Sequence, residues 1–211
     1  MQKPKIITIE DPLFGLGKSR YLKFLNSAAP ICNLTAKVEI TNLVKRKQNH
    51  KLNAMLVFCI QNVAQKIEGC HFEIVDEAHV QYFPLCCTNI VMYGKDGLLY
   101  YVSVPYCKDF KTYEKKYIEN CDDAYNNCHH VYVPDQALTA TSAIIQYEIE
   151  SYSSGYTDDF MRPFLVWGKY STIEDKNYLS ISFRFHHGFF DGKDIATFYN
   201  LLQQEIDNFK D

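Results

Sequence analysis

The stretch that most restricts the architecture lies near the C-terminal end, where the hydrophobic period changes once. Tyr178 to His186 reads Tyr-Leu-Ser-Ile-Ser-Phe-Arg-Phe-His. Apolar and polar residues alternate, so Leu179, Ile181, Phe183, Phe185 and His187 fall on one face of a strand. Asp191-Gly192 then supplies a turn, with Asp191 available as a helix N-cap. From about Lys193 to Phe209, Ile195, Phe198, Leu202, Ile206 and Phe209 recur at helical spacing. A strand that runs through a short turn into an amphipathic helix must lay that helix back on its sheet to bury both apolar faces.

The same switching of period recurs upstream. Helical patterns span Lys18 to Ala28, a short piece capped by Thr41, Leu52 to Ile67 with Gly69 as its stop, and Asp109 to Tyr125. Strand patterns span 35–40, 71–74, 79–83, 88–93, 98–104, 141–150 and 163–170, with Asp96-Gly97 as a hairpin turn. No repeat, low-complexity tract or linker divides them, so residues 1–211 are expected to form a single domain. The mixed order of elements predicts an α/β fold, a two-layer sandwich with a mixed β-sheet packed by helices.

Composition removes several classes of function. With 22 Lys and Arg against 25 Asp and Glu, the formal charge is −3, and the longest basic run is Lys45-Arg46-Lys47. That is no footprint for nucleic acid or an anionic membrane surface. No apolar run approaches the ~20 residues needed to span a bilayer, and the N-terminus shows no signal-peptide pattern. The eight cysteines contain no Cys-x-x-Cys pair and sit mostly in apolar segments, as expected of free thiols in a reducing cytoplasm. Aromatic residues make up 15% of the chain, enough to line a pocket or an interface as well as a core.

Three motifs invite a functional reading and do not earn one. Phe14-Gly-Leu-Gly-Lys18-Ser19 ends like a phosphate-binding loop, but Pro12 stands where the pattern needs its first glycine. A loop leading into a helix is the better description. Cys128-His129-His130 lacks the second, spaced pair that a zinc site needs, so no metal is expected. Asp122-Asp123 and Asp158-Asp159 read as solvated surface acids.

His187 is different because the strand delivers it to a sheet end among apolar residues. An imidazole there is largely neutral at pH 7 and can take a proton, given a hydrogen bond that fixes its tautomer. On these residues alone, a packed core histidine with Asp191 as a mere cap is the simpler reading.

The wider pattern resembles the chloramphenicol acetyltransferase family. His186-His187-Gly-Phe-Phe-Asp191-Gly192 is similar to its His-His-x-x-x-Asp-Gly signature. Pro163-Phe-Leu-Val-Trp-Gly-Lys169-Tyr170 resembles its Pro-x-x-x-Met-Gly-Lys-Tyr strand, and Leu34-Thr-Ala-Lys-Val-Glu-Ile-Thr41 its Leu-Thr-x-Lys segment. Pro105-Tyr106 and Phe198-x-x-Leu-Leu-Gln also match in order. Catalytic domains of dihydrolipoyl acyltransferases share the His-x-x-x-Asp-Gly motif.

The resemblance implies direct acetyl transfer from acetyl-CoA to a hydroxyl of chloramphenicol, with His187 as general base and no acyl-enzyme. Thr141-Ser142-Ala-Ile144 matches the segment whose serine donates to the tetrahedral oxyanion, so Ser142 takes that role. Asp191 becomes structural, paired with Lys18 or, two residues on, Arg20. Lys169 and Tyr170 fall on the CoA channel, Phe24, Tyr152 and Tyr170 on segments that wall the substrate tunnel, and Phe189 beside the base as a substrate contact. The family's N-terminal tyrosine has no clear counterpart, since the segment offers Phe24 or Leu25 and then Cys32. The resemblance further implies a cytoplasmic homotrimer with sites at subunit interfaces. Two alternatives stand beside this: a CoA-dependent acyltransferase for another hydroxyl- or amine-bearing acceptor, and a non-catalytic trimeric binding protein.

Overall fold

A computed structural model of the protein describes residues 3–153 and 162–210; Asp158 and Asp159, read above as surface acids, lie outside the described residues. In chain order come β1 (Lys5–Thr8), α1 (Lys18–Leu25), β2 (Ile31–Glu39), α2 (Thr41–Val44), α3 (Leu52–Ala64), a 3-10 turn (Glu68–His71), β3 (Phe72–Ile74), β4 (His79–Tyr82) and β5 (Cys86–Tyr93). They are followed by β6 (Leu99–Val104), α4 (Phe110–Asn127), β7 (Ala137–Ile144), β8 (Phe164–Gly168), β9 (Ser171–Ile173), β10 (Lys176–His186) and α5 (Gly192–Asp207).

The main sheet runs β2-β10-β8-β7-β5-β6, with β9 also on β10. β7 is parallel to both its neighbours and every other pairing between these strands is antiparallel, which makes the sheet mixed as expected. β1, β4 and β3 form a separate antiparallel sheet. Helices cover one face of the main sheet. Phe198 of α5 meets Phe183 of β10 at 4.7 Å between ring centroids, and Thr88 of β5 hydrogen-bonds the Tyr113 hydroxyl of α4. α3, apolar almost all round, is buried over most of its length, as its composition requires.

Local chemistry explains the element ends. Asp109 caps α4 by accepting from the Thr112 N–H at 2.8 Å. Asp191 caps α5 within a capping box, the Asp194 carboxylate accepting in return from the Asp191 N–H. Gly97 closes the β5–β6 hairpin at φ 78°, a conformation that favours glycine. Gly17, at φ 88°, opens α1, so Phe14 to Ser19 is a loop into a helix.

Boundaries depart from expectation in several places, β2 beginning at Ile31, four residues before the expected strand at 35–40. The strand placed at 141–150 occupies Ala137–Ile144, because its partner β8 ends where Gly168 meets Ile144 and the chain folds over that glycine. A Cβ on Gly168 would lie 2.4 Å from the Tyr147 carbonyl, and Lys169 N–H donates to that carbonyl at 2.6 Å. Thr41 is the first residue of α2, not its cap, and its hydroxyl accepts from the Asn177 N–H. α3 ends at Ala64, and Gly69 sits inside the 3-10 turn. α1 stops at Leu25, three residues early.

Candidate active site

His187 stands one residue beyond β10, and its N–H donates to the Pro30 carbonyl at 2.8 Å. The chain then turns tightly, with the N–H groups of Phe189 and Phe190 both donating to the His186 carbonyl. That turn brings the Phe190 carbonyl to 3.0 Å from His187 Nδ1. A carbonyl only accepts, so the ring proton sits on Nδ1 and the lone pair on Nε2. The imidazole is half-buried and lies flat on Phe24, 4.0 Å away with planes 11° apart. Here the strand end, the turn carbonyl and the Phe24 ring together fix both the tautomer and the plane of the ring.

Arg20 is the residue that reaches Asp191, its Nη1 donating at 2.8 Å. The same guanidinium lies 3.4 Å from the Asp194 carboxylate and 3.5 Å from the Phe189 carbonyl. Lys18 points away, to Glu10 on the surface. The Asp194 and Lys193 N–H groups and the Arg20 charge hold the Asp191 carboxyl below the usual carboxylate range against the opposing effect of burial. Phe189 is core, 1% exposed between Tyr21 and Phe72.

Ser142 lies elsewhere. Across the sheet it stands level with Val166 of β8, which is level with Ser182 of β10. His187 is five residues past Ser182, about 16 Å along the strand, and two strand spacings add about 10 Å. Within one chain, then, the two side chains cannot share a reacting atom. Ser142 faces away from the helices, in the row of Ser182 and Thr35, whose hydroxyls are 2.7 Å apart.

Lys169 and Tyr170 are apart from Ser142 too, at a cleft between the helix-covered face and α3, whereas Ser142 is on the opposite face. Lys169 and Tyr170 border this cleft of about 300 Å3 with Trp167, Leu179, Ile40 and Leu56. Ser171 pairs with Tyr178, nine residues and about 30 Å of strand before His187. Tyr152 lies beside Ser182, its N–H donating to Ser182 Oγ at 2.8 Å and its ring edge-on to Phe164.

The sequence reading passed over two participants. Lys47 donates to the Tyr170 hydroxyl at 2.9 Å and sits 5.6 Å over its ring. It belonged to the basic run that was weighed only as a whole-surface charge. His186 was quoted within the motif but given no role. It is fully buried, and its Nδ1 accepts from the Gly188 N–H at 3.0 Å. Cys128, His129 and His130 diverge: Cys128 ends α4 in the left-handed region, His129 faces Asp123, and His130 accepts from the Tyr101 N–H.

Residues 16–203 match the family model for chloramphenicol acetyltransferase. The chain is 22% identical over 180 residues to chloramphenicol acetyltransferase 3 of Escherichia coli, covering 82% of this chain and 84% of that relative. It is 21% identical over 205 residues to a chloramphenicol acetyltransferase of Clostridium butyricum, 92% of each being covered. A solved chloramphenicol acetyltransferase superposes with a TM-score of 0.77 at 18% identity, over 95% of this chain and 98% of that one. A dihydrolipoamide acetyltransferase of Azotobacter vinelandii shares the fold at a TM-score of 0.68 and 14% identity, over 93% and 88% of the two chains.

Proposed function

The chain belongs to the chloramphenicol acetyltransferase family, and from that premise we propose that it transfers the acetyl group of acetyl-CoA directly to a hydroxyl of chloramphenicol, in a site built between copies of the chain. The observation that carries the reading is the His187 geometry. Nδ1–H is committed to the Phe190 carbonyl, which leaves Nε2 as a base whose orientation the Phe24 ring holds. Acetyl-CoA supplies the activated thioester. His187 Nε2 takes the acceptor's hydroxyl proton as that oxygen bonds to the thioester carbon. The Ser142 hydroxyl of a second copy donates to the oxyanion so formed. When the C–S bond breaks, the His187 imidazolium returns its proton to the departing sulfur, so the base is regenerated and ester and thiol are the products.

The separation of His187 from Ser142 supports the second copy. Beside Ser142, the sheet face turned from the helices carries Tyr93, Leu99, Tyr101 and Ile144, which are 65%, 52%, 48% and 40% exposed. A neighbour's His187 end seated there would cover this apolar patch and complete the site. By the family's pattern the assembly is a homotrimer. The same pattern puts Lys169 and Tyr170 in contact with the CoA, the Lys169 ammonium pairing with a phosphate.

The test follows thiol release from acetyl-CoA with and without chloramphenicol. Chloramphenicol-dependent release that falls at least about a thousandfold in His187→Ala, with folding intact, is the expected result. Release only with other hydroxyl- or amine-bearing acceptors would move the protein to a different substrate. Bound CoA with no release for any acceptor would make it a binding protein.

A further inference from the structure

We propose that His186 is a positioning residue for His187: its neutral imidazole clamps the Gly188 N–H, and this fixes the turn that holds His187 in its reactive tautomer. The inference rests on the reading of His187 as the base. His186 is fully buried, the last residue of β10, and its Nδ1 lies 3.0 Å from the Gly188 nitrogen, which can only donate. The ring proton is therefore on Nε2, the tautomer opposite to that of its neighbour. A Cβ on Gly188 would come within 2.9 Å of His186 Nδ1 and Cε1, so ring and glycine are packed as a unit. The His186 carbonyl receives the Phe189 and Phe190 N–H groups, and the Phe190 carbonyl receives His187 Nδ1–H. Side chain and main chain of one residue thus accept from the N–H groups of Gly188, Phe189 and Phe190, the turn whose last carbonyl reaches the base.

Two further facts fit a ring retained for this purpose. His186 Nε2 is buried with no hydrogen-bond partner among the described residues, a burden that a purely structural position would shed. Burial, the adjacent His187 and then Arg184 hold its pKa down at about 4, so it stays an acceptor through the neutral range. Protonation at Nδ1 would turn the clamp into two opposed donors.

Steady-state kinetics of the full-length protein test this with His186→Ala and His186→Asn. The asparagine carries an acceptor oxygen near the position of Nδ1. Expected for His186→Ala are a kcat lowered by about tenfold or more, a KM for acetyl-CoA within about twofold of the parent, and a displaced pH profile of kcat/KM. His186→Asn should recover most of kcat and restore the profile. An unchanged kcat and profile in His186→Ala, or no rescue by asparagine, would overturn the inference. Nitrogen-15 spectra of the unmutated protein provide a measurement independent of variant folding. They should show His186 neutral and protonated on Nε2 at pH 7, and His187 protonated on Nδ1; the reverse tautomer or a charged ring at His186 refutes the clamp. If the unmutated protein releases no thiol with any acceptor, the acetyl-transfer reading falls. The clamp is then judged by whether the Nδ1–H form of His187 survives in His186→Asn and is lost in His186→Ala.

Discussion

Lys18 and Arg20 are both basic and only two residues apart on α1, yet they do different work. The guanidinium fork reaches Asp191, Asp194 and the Phe189 carbonyl together, tying α1 to the turn that carries His187. Lys18 holds Glu10 where both are exposed, an arrangement worth little. Arg20→Ala should therefore cost about 1 kcal/mol, discounted because Asp191 is partly solvated, and lower kcat by about tenfold. Lys18→Ala should change stability by less than about 0.5 kcal/mol and leave kcat alone; thermal melts and the thiol assay would read both. His186 makes a prediction with a pH sign. Unfolded, its ring takes a proton near the ordinary 6.5; folded, it does so only near 4. Between those values the unfolded chain binds the extra proton, so acidification favours unfolding. At ~1.36 kcal/mol per pH unit, this gives roughly 2 kcal/mol by pH 5, which His186→Asn should not lose. Urea midpoints at pH 7 and pH 5 for the two proteins would show it; equal losses would argue against a buried neutral ring.

At the scale of elements, the C-terminal strand, turn and helix were the most legible, because period, turn and cap agree there. Even so, alternation says which residues share a face of β10 and not what covers the polar face. Ser182, Arg184 and His186 on the other face are 2%, 2% and 0% exposed despite their polarity. The chain after β7 lies across that face, with Tyr152 N–H bonded to Ser182, and no local pattern announces such a cover. β1 and β9 were missed where β3 and β4, equally short, were read: Lys-Ile-Ile-Thr and Ser-Thr-Ile carry no alternation, so their form comes from their partners. Choosing between Lys18 and Arg20 likewise needed the packing angle of α1, which spacing alone does not contain. Gly69 shows the same dependence on packing between elements. It was read as a helix stop, but its Cα faces the Phe189 carbonyl so closely that a Cβ would sit 2.5 Å from it. Gly69→Ala must push either the 3-10 turn or the His187 turn aside. A loss of about 1–3 kcal/mol is expected, with kcat reduced beyond what the unfolded fraction accounts for. Equal stability and full activity would show that the contact relaxes freely.

At the scale of the whole molecule, the deciding fact is distance. His187, Asp191, Arg20 and Phe24 gather at one end of β10, whereas Lys169 and Tyr170 lie toward the other and Ser142 two strands away, level with Ser182. A fold does not bend a sheet to close a gap of that size, so a shared site requires a second copy. Complementation tests this without a structure of the assembly. His187→Ala and Ser142→Ala chains, each nearly inactive alone, would be dissociated, mixed in equal amounts and reassembled. If each site draws its base from one copy and its oxyanion donor from the next, random assembly leaves about a quarter of the sites with both groups intact. Activity should then return toward a quarter of the parental value, on a time course that follows subunit exchange. Were both groups drawn from a single chain, every site would keep one lesion and mixing would restore nothing.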